Sequence, residues 1–150
     1  MNRINLICLG VRDMAGSLAF YKNIGFKTYE KADAQPIVFF DTQGSKLELY
    51  PLDALAEDIN AENPPKLRSG EFPGITLACC MKNEAEVDAM ITKVEKHGGT
   101  IAKKPETVFW GGYSGYFQDP DGYYWEVAYS KNWQFDENDM VIIEAEDSEG

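Results

Sequence analysis

Two glutamates occupy matching places in this 150-residue sequence. Glu48 follows Asp41 by seven positions, with Gly44 at the third; Glu126 follows Asp119 by seven, with Gly122 at the third. Large apolar residues flank each one, Leu47 and Leu49 in the first case, Trp125 and Val127 in the second. Side chains on a strand alternate between its faces. If the flanking residues pack under helices, both carboxylates point the other way, into a cleft. An apolar cleft raises the proton affinity of a carboxylate, and a second one nearby raises it further. Glu48 and Glu126 are therefore candidate general acid or base groups, or a grip for a cationic ligand. Lys46 and Tyr50 share the parity of Glu48, and Tyr124 that of Glu126.

The other reactive side chains narrow the choice. His97 is the only histidine, no C-x-x-C or H-x-x-x-H spacing occurs, and a histidine-rich zinc site is excluded. His97 precedes Gly98 at a helix end, where a capping role fits. Cys8, Cys79 and Cys80 are odd in number and two are adjacent, so no disulfide framework is expected and a reducing cytoplasm fits best. No histidine stands ready to activate a thiolate, which favours small buried hydrophobes over nucleophiles. The loop Trp110-Gly111-Gly112-Tyr113-Ser114-Gly115 joins aromatic rings to hinge glycines, so Trp110 and Tyr113 are candidate stacking platforms over a ligand. Asp119-Pro120-Asp121-Gly122 reads as a turn, because its counterpart Asp41-Thr42-Gln43-Gly44 lacks the second Asp.

The elements that must hold these residues come in a repeated order. Asn5 to Val11 reads as a buried strand. Asp13 caps a helix running to about Ile24, with Met14, Leu18 and Tyr21 on one stripe, and Gly25 ends it. Phe26 to Glu30, Ile37 to Phe40 and Lys46 to Tyr50 read as strands. A connector, 53–73, starts with a short helix over Ala54 to Asp58. Then Gly74 to Met81 reads as a strand, and Asn83 and Glu86 form a capping box. Val87, Met90, Ile91 and Val94 follow at helical spacing, and Gly98-Gly99 ends that helix. Thr100 to Lys103, Ser114 to Gln118 and Tyr123 to Tyr129 read as strands. The pattern predicts an α+β fold in which a strand–helix–three-strand unit is used twice, at about 3–52 and 73–130. It forms one domain over 1–130.

Composition sets the outer bounds. An apolar share of 44% with 13% aromatics is too high for a disordered chain. The net charge of −11 argues against nucleic acid. No apolar run approaches the roughly 20 residues of a membrane span, and no secretory leader is expected. Residues 134–150 hold seven acids and no base, which leaves 18 acids against 14 bases before them. The segment 131–150 thus reads as a solvated acidic tail, its start pinned by Trp133 and Phe135. Recruitment of a cationic protein partner through this tail is the rarer reading.

Several of these residues together resemble the vicinal oxygen chelate superfamily of glyoxalase, bleomycin-resistance and extradiol-dioxygenase proteins. They are Leu9-Gly10-Val11-Arg12-Asp13, Ser17-Leu18-Ala19-Phe20-Tyr21, Gly25-Phe26, Leu47-Glu48-Leu49-Tyr50, and Phe117-Gln118-Asp119-Pro120-Asp121-Gly122-Tyr123-Tyr124-Trp125-Glu126. The likeness covers residues 4 to about 130, and the loop Phe109 to Tyr116 looks like a glyoxalase-like subgroup. The resemblance implies two βαβββ modules whose curved mixed sheet surrounds a cleft, and a homodimer. It also implies four positions where metal-dependent members place ligands, and these fall on Leu6, Glu48, Thr76 and Glu126. Leucine has no donor and threonine is a weak neutral one. Only two carboxylates remain, enough at most for Mg²⁺ or Mn²⁺ completed by water and substrate. Cys8 shares a face with Leu6, and Ala78 and Cys80 share one with Thr76. The expectation is a metal-free small-molecule-binding protein with a cleft lined by Glu48, Glu126, Trp110, Tyr113, Tyr124, Tyr50, Thr76, Cys8 and Leu6. The alternative is a lyase or isomerase acting on a vicinal-oxygen substrate through Glu48 and Glu126.

Overall fold

The computed structural model describes residues 1–30 and 36–143. Ten elements follow one another: β1 (Leu6–Val11), α1 (Met14–Ile24), β2 (Val38–Phe40), β3 (Lys46–Pro51), α2 (Leu52–Ile59), β4 (Thr76–Met81), α3 (Glu84–Lys96), β5 (Thr100–Thr107), β6 (Tyr113–Gln118) and β7 (Tyr124–Tyr129). They build two separate mixed sheets, one ordered β1-β3-β2 and the other β4-β7-β6-β5. In each, the strand before the helix lies parallel to the last strand of its own module, β1 on β3 and β4 on β7.

Both helices start where the capping residues stand. The Asp13 carboxylate accepts from the Gly16 amide, and the Asn83 side chain accepts from the Glu86 amide. The Glu86 carboxylate reaches one residue beyond the usual capping box and accepts from the Lys82 amide at 2.9 Å. Helix α1 stops at Gly25, whose φ of 116° lies in the left-handed region that glycine enters without strain. The connector helix α2 is longer than expected and follows β3 directly.

The expected strand Phe26 to Glu30 does not form. Thr28 explains why: its hydroxyl donates to the Phe39 carbonyl at 2.6 Å and accepts from the Glu30 amide at 3.1 Å. A side chain thus takes the partner that a ladder would use, and one backbone bond, Asp41 N–H to Lys27 C=O, joins the segment to β2. The first sheet therefore has three strands and the second four.

One core serves both modules. Leu18, Tyr21, Ile24, Leu47 and Leu49 from the first are buried in the same cluster as Val87, Val94, Phe117, Trp125 and Val127 from the second. Aromatic rings make the joint: Phe20 lies 6.3 Å from Phe117, and Tyr21 5.9 Å from Trp125, centroid to centroid. The Asp119-Pro120-Asp121-Gly122 turn closes it. The buried Asp119 carboxylate accepts from the Tyr21 hydroxyl at 2.5 Å, and Asp121 accepts from the Arg12 amide and the Ser17 hydroxyl at 2.9 and 3.1 Å. This turn is a clamp between modules as well as a hairpin bend.

The segment after β7 folds back over the body. Trp133 stacks on Trp110 with centroids 5.8 Å apart. Phe135 lies under the Lys82 ammonium, and Met140 rests against Gly44. Trp133 and Phe135 thus anchor this segment, whose residues 144–150, including the end of the acidic tail, lie outside the described residues.

Candidate functional site

The alternation of β3 and β7 directs Leu47, Leu49, Trp125 and Val127 into the shared core, and it directs Glu48 and Glu126 to the opposite faces of their sheets. The two carboxylates lie on different sheets, Glu48 on β3 and Glu126 on β7. An open cavity of about 1110 Å³ lies between β1 and β4, walled by Ile7, Phe26, Leu47, Leu77, Cys79 and Trp125 and also by Thr76, Ala78 and Cys80 of β4, and neither glutamate lines it. Within one chain the structure does not bring Glu48 and Glu126 together.

Each glutamate instead sits at the centre of a row running across its own sheet. In the second sheet the row is Ala78, Glu126, Tyr116 and Lys103, from β4 across β7 and β6 to β5. The next row is Cys80, Ala128 and Ser114, and the row on the other side is Thr76, Tyr124 and Gln118. The floor is small (Ala78, Ala128), the centre is acidic and the walls are aromatic. The Ser114 hydroxyl, itself 1% exposed, donates to Glu126 Oε2 at 2.6 Å. Burial pushes the Tyr116 phenol above its ordinary range, and the adjacent Glu126 charge adds to the shift. Burial and the same charge raise the Cys80 thiol. Tyr124 meets Phe72 of the connector edge to face at 5.5 Å.

In the first sheet the corresponding row is Cys8, Glu48 and Phe39. Burial raises the Cys8 thiol to about 11, with further pushes from the Glu48 charge and hydrogen bond. Leu6 pairs with Lys46 and is exposed, and Tyr50 pairs with Gly10 and is half-buried. Leu52 and Leu55 of α2 crowd Gly10, so the connector helix covers that end of the row.

The aromatic loop divides in two. Trp110 lies directly over Gly112, where any Cβ would overlap its ring. Tyr113 takes the helix side of β6: its register partner is Tyr129 and its hydroxyl donates to Asp88 of α3 at 2.7 Å. That places Tyr113 on the face opposite Glu126. Ser114, Tyr116, Phe39 and Phe72 had not been singled out from the sequence. The hairpin register would have found the first two, because the Asp119–Gly122 turn fixes Tyr116 opposite Glu126 and Ser114 opposite Ala128.

A metal fits this donor set poorly. Leu6 offers only carbon, the two carboxylates lie on different sheets, and among the described residues no three His, Cys, Asp or Glu side chains could hold an ion. The chemistry on hand is that of a fixed carboxylate among phenol, thiol and ammonium groups.

Comparison with known proteins agrees with this architecture. The profile of the Glyoxalase/Bleomycin resistance protein/Dioxygenase superfamily matches residues 3–127. A glyoxalase-related enzyme from Fulvimarina pelagi is 25% identical and superposes with a TM-score of 0.83, over 97% of this chain and 100% of that one. Lactoylglutathione lyase from Agrobacterium tumefaciens is 27% identical, with a TM-score of 0.64 over 90% and 98% of the two chains. A glyoxalase/bleomycin resistance protein/dioxygenase family enzyme from Burkholderia phytofirmans PsJN, at 18% identity and a TM-score of 0.72 over 85% and 98%, shares the fold. No curated protein sequence matches. With two modules of matching topology and a family match over most of its length, the chain belongs to the glyoxalase/bleomycin resistance protein/dioxygenase superfamily.

Proposed function

We propose that this protein binds a planar organic cation, without a catalytic metal, against the Glu126 face of its second sheet. The observation that carries the reading is the Glu126 carboxylate, held by Ser114 at the centre of a small-floored face walled by Tyr116 and Tyr124. A carboxylate supplies charge, and flanking rings supply stacking and cation–π attraction. The chain's net charge of −11 steers cations toward it. The test is isothermal titration with ethidium as the probe. Glu126→Gln is expected to weaken binding about tenfold, the size of one lost charge contact. Glu57→Gln, an exposed control of equal charge change on α2, is expected to leave it alone. Equal affinity in all three proteins would refute the reading.

The cleft is completed by a second copy. Strands β1 and β4 are each paired on one side only, and neither carries a charge or a proline that would blunt the free edge. Pairing β1 of one copy with β4 of another would set a Glu48 row beside a Glu126 row. Sedimentation equilibrium at micromolar concentration is expected to give a dimer. Ala78→Lys, which puts a charge on the β4 edge, is expected to shift it toward monomer.

A second reading, a lyase acting on a vicinal-oxygen substrate with Mg²⁺ or Mn²⁺, draws on the likeness to the Agrobacterium tumefaciens lactoylglutathione lyase. Native mass spectrometry separates the two readings. One bound divalent ion per chain, lost in Glu126→Gln, would favour the lyase.

A further inference from the structure

We propose that Ser114 is the positioning residue of the ligand-gripping carboxylate, and that it makes Glu126 the preorganised member of the glutamate pair. The inference rests on the reading of Glu126 as the ligand contact. Ser114 is almost fully buried, and its hydroxyl bond to Glu126 Oε2 spans 2.6 Å between adjacent strands. A short bond from a hydroxyl to a carboxylate is charge-assisted and geometrically demanding. It fixes one carboxylate oxygen, Oε2, and leaves Oε1 for a ligand. The backbone supports the arrangement, because Ser114 and Tyr116 stand two apart on β6 and bracket Glu126 from one face.

The first module lacks this device. The place Ser114 takes, two residues before the ladder partner on the neighbouring strand, falls in the first module on Ile37, two before Phe39, which has no hydroxyl, and Glu48 is left the thiol of its ladder partner Cys8. A thiol is a weak donor, so Glu48 is held less firmly. A glutamate that is already ordered loses less side-chain freedom when a ligand arrives. Repeat symmetry in the sequence thus hides a functional asymmetry: Glu126 is set in advance, and Glu48 is free to adjust.

The experiment is ethidium titration of the full chain with Ser114→Ala and Ser114→Thr, alongside thermal unfolding of each variant. Ser114→Ala is expected to weaken binding about fivefold to tenfold with little change in unfolding temperature, and Ser114→Thr, which keeps the hydroxyl, to restore it. Unchanged affinity in Ser114→Ala would overturn the inference while leaving the Glu126 reading intact. A folded Ser114→Thr as weak as Ser114→Ala would overturn it too, since packing and not the hydroxyl would be responsible. Failure of the unmodified protein to bind ethidium would remove the Glu126 reading itself, and the inference with it.

Discussion

The Tyr21 hydroxyl donates to Asp119 Oδ2 at 2.5 Å and accepts from the Trp125 indole at 3.1 Å, tying the first helix of one module to the hairpin turn of the other. All three groups are buried. This chain of bonds ties the two modules together inside their shared core.

Breaking it should be costly. Tyr21→Phe leaves the Trp125 N–H and one Asp119 oxygen without their partner inside the core, and such orphaned groups cost about 1–3 kcal/mol each. The expected loss is about 2–6 kcal/mol in urea denaturation, with little change in the slope against urea. A loss too small to measure would show that the clamp is dispensable.

The same carboxylate sets a pH dependence. Burial raises the Asp119 carboxyl above its ordinary value, although hydrogen bonds from Tyr21 and from the Tyr123 and Asp121 amides oppose the shift. An acid with a raised folded-state pKa binds its proton more tightly in the native protein than in the unfolded chain. Its contribution to stability is fully present below the unfolded value, and it is lost as pH rises through the folded one. Asp119→Asn should therefore flatten this part of the stability profile as pH rises above the ordinary carboxylate value of about 4. A profile parallel to that of the unmodified protein would contradict the assignment.

Much of this arrangement was legible in the sequence, and the limits have physical causes. Asp13 and Asn83 announced both helices because a capping side chain acts locally. The seven-residue spacings from Asp41 and Asp119 announced the repeat, although the hairpins pair one residue apart: Phe39, two before Asp41, faces Glu48, and Tyr116, three before Asp119, faces Glu126. The strand at Phe26 to Glu30 was misread because the Thr28 hydroxyl, reaching Phe39 eleven residues away, replaces the ladder bond. The separation of the glutamates was not legible for a different reason. Alternation reports which side of a strand is buried, but not which module supplies the covering layer. Phe20 packing on Phe117, and Tyr21 on Trp125, decide that over about a hundred residues of chain.

Thiol chemistry offers an independent check on the Glu48 row. With its thiol raised to about 11, Cys8 exposes little thiolate at pH 8. Its alkylation by iodoacetamide should run about a hundredfold slower than that of a free cysteine. Burial is the larger cause and the Glu48 charge the next, so Glu48→Gln should speed the reaction without restoring it fully. Peptide mass spectrometry after timed quenching reads the rates. Full reactivity of Cys8 in the unmodified protein would place it outside the row.

A side chain at Gly112 should displace Trp110. A Cβ there would overlap the six-membered ring of Trp110, so Gly112→Ala must lift the indole and break its stack on Trp133. The expected result is a changed tryptophan emission with little loss of stability, because Trp110 is exposed and its ring can swing outward. An unchanged spectrum would show that Trp110 and Trp133 do not stack in solution.

The central claim is that the ligand sits on the Glu126 row. Amide chemical-shift mapping by NMR, with ethidium as the probe, reads this most directly. The account expects shifts concentrated at Ser114, Tyr116, Glu126 and Ala128, none of which lines the cavity between β1 and β4. Shifts centred on that cavity, around Ile7, Phe26, Leu47 and Leu77, or scattered over the acidic surface, would contradict it.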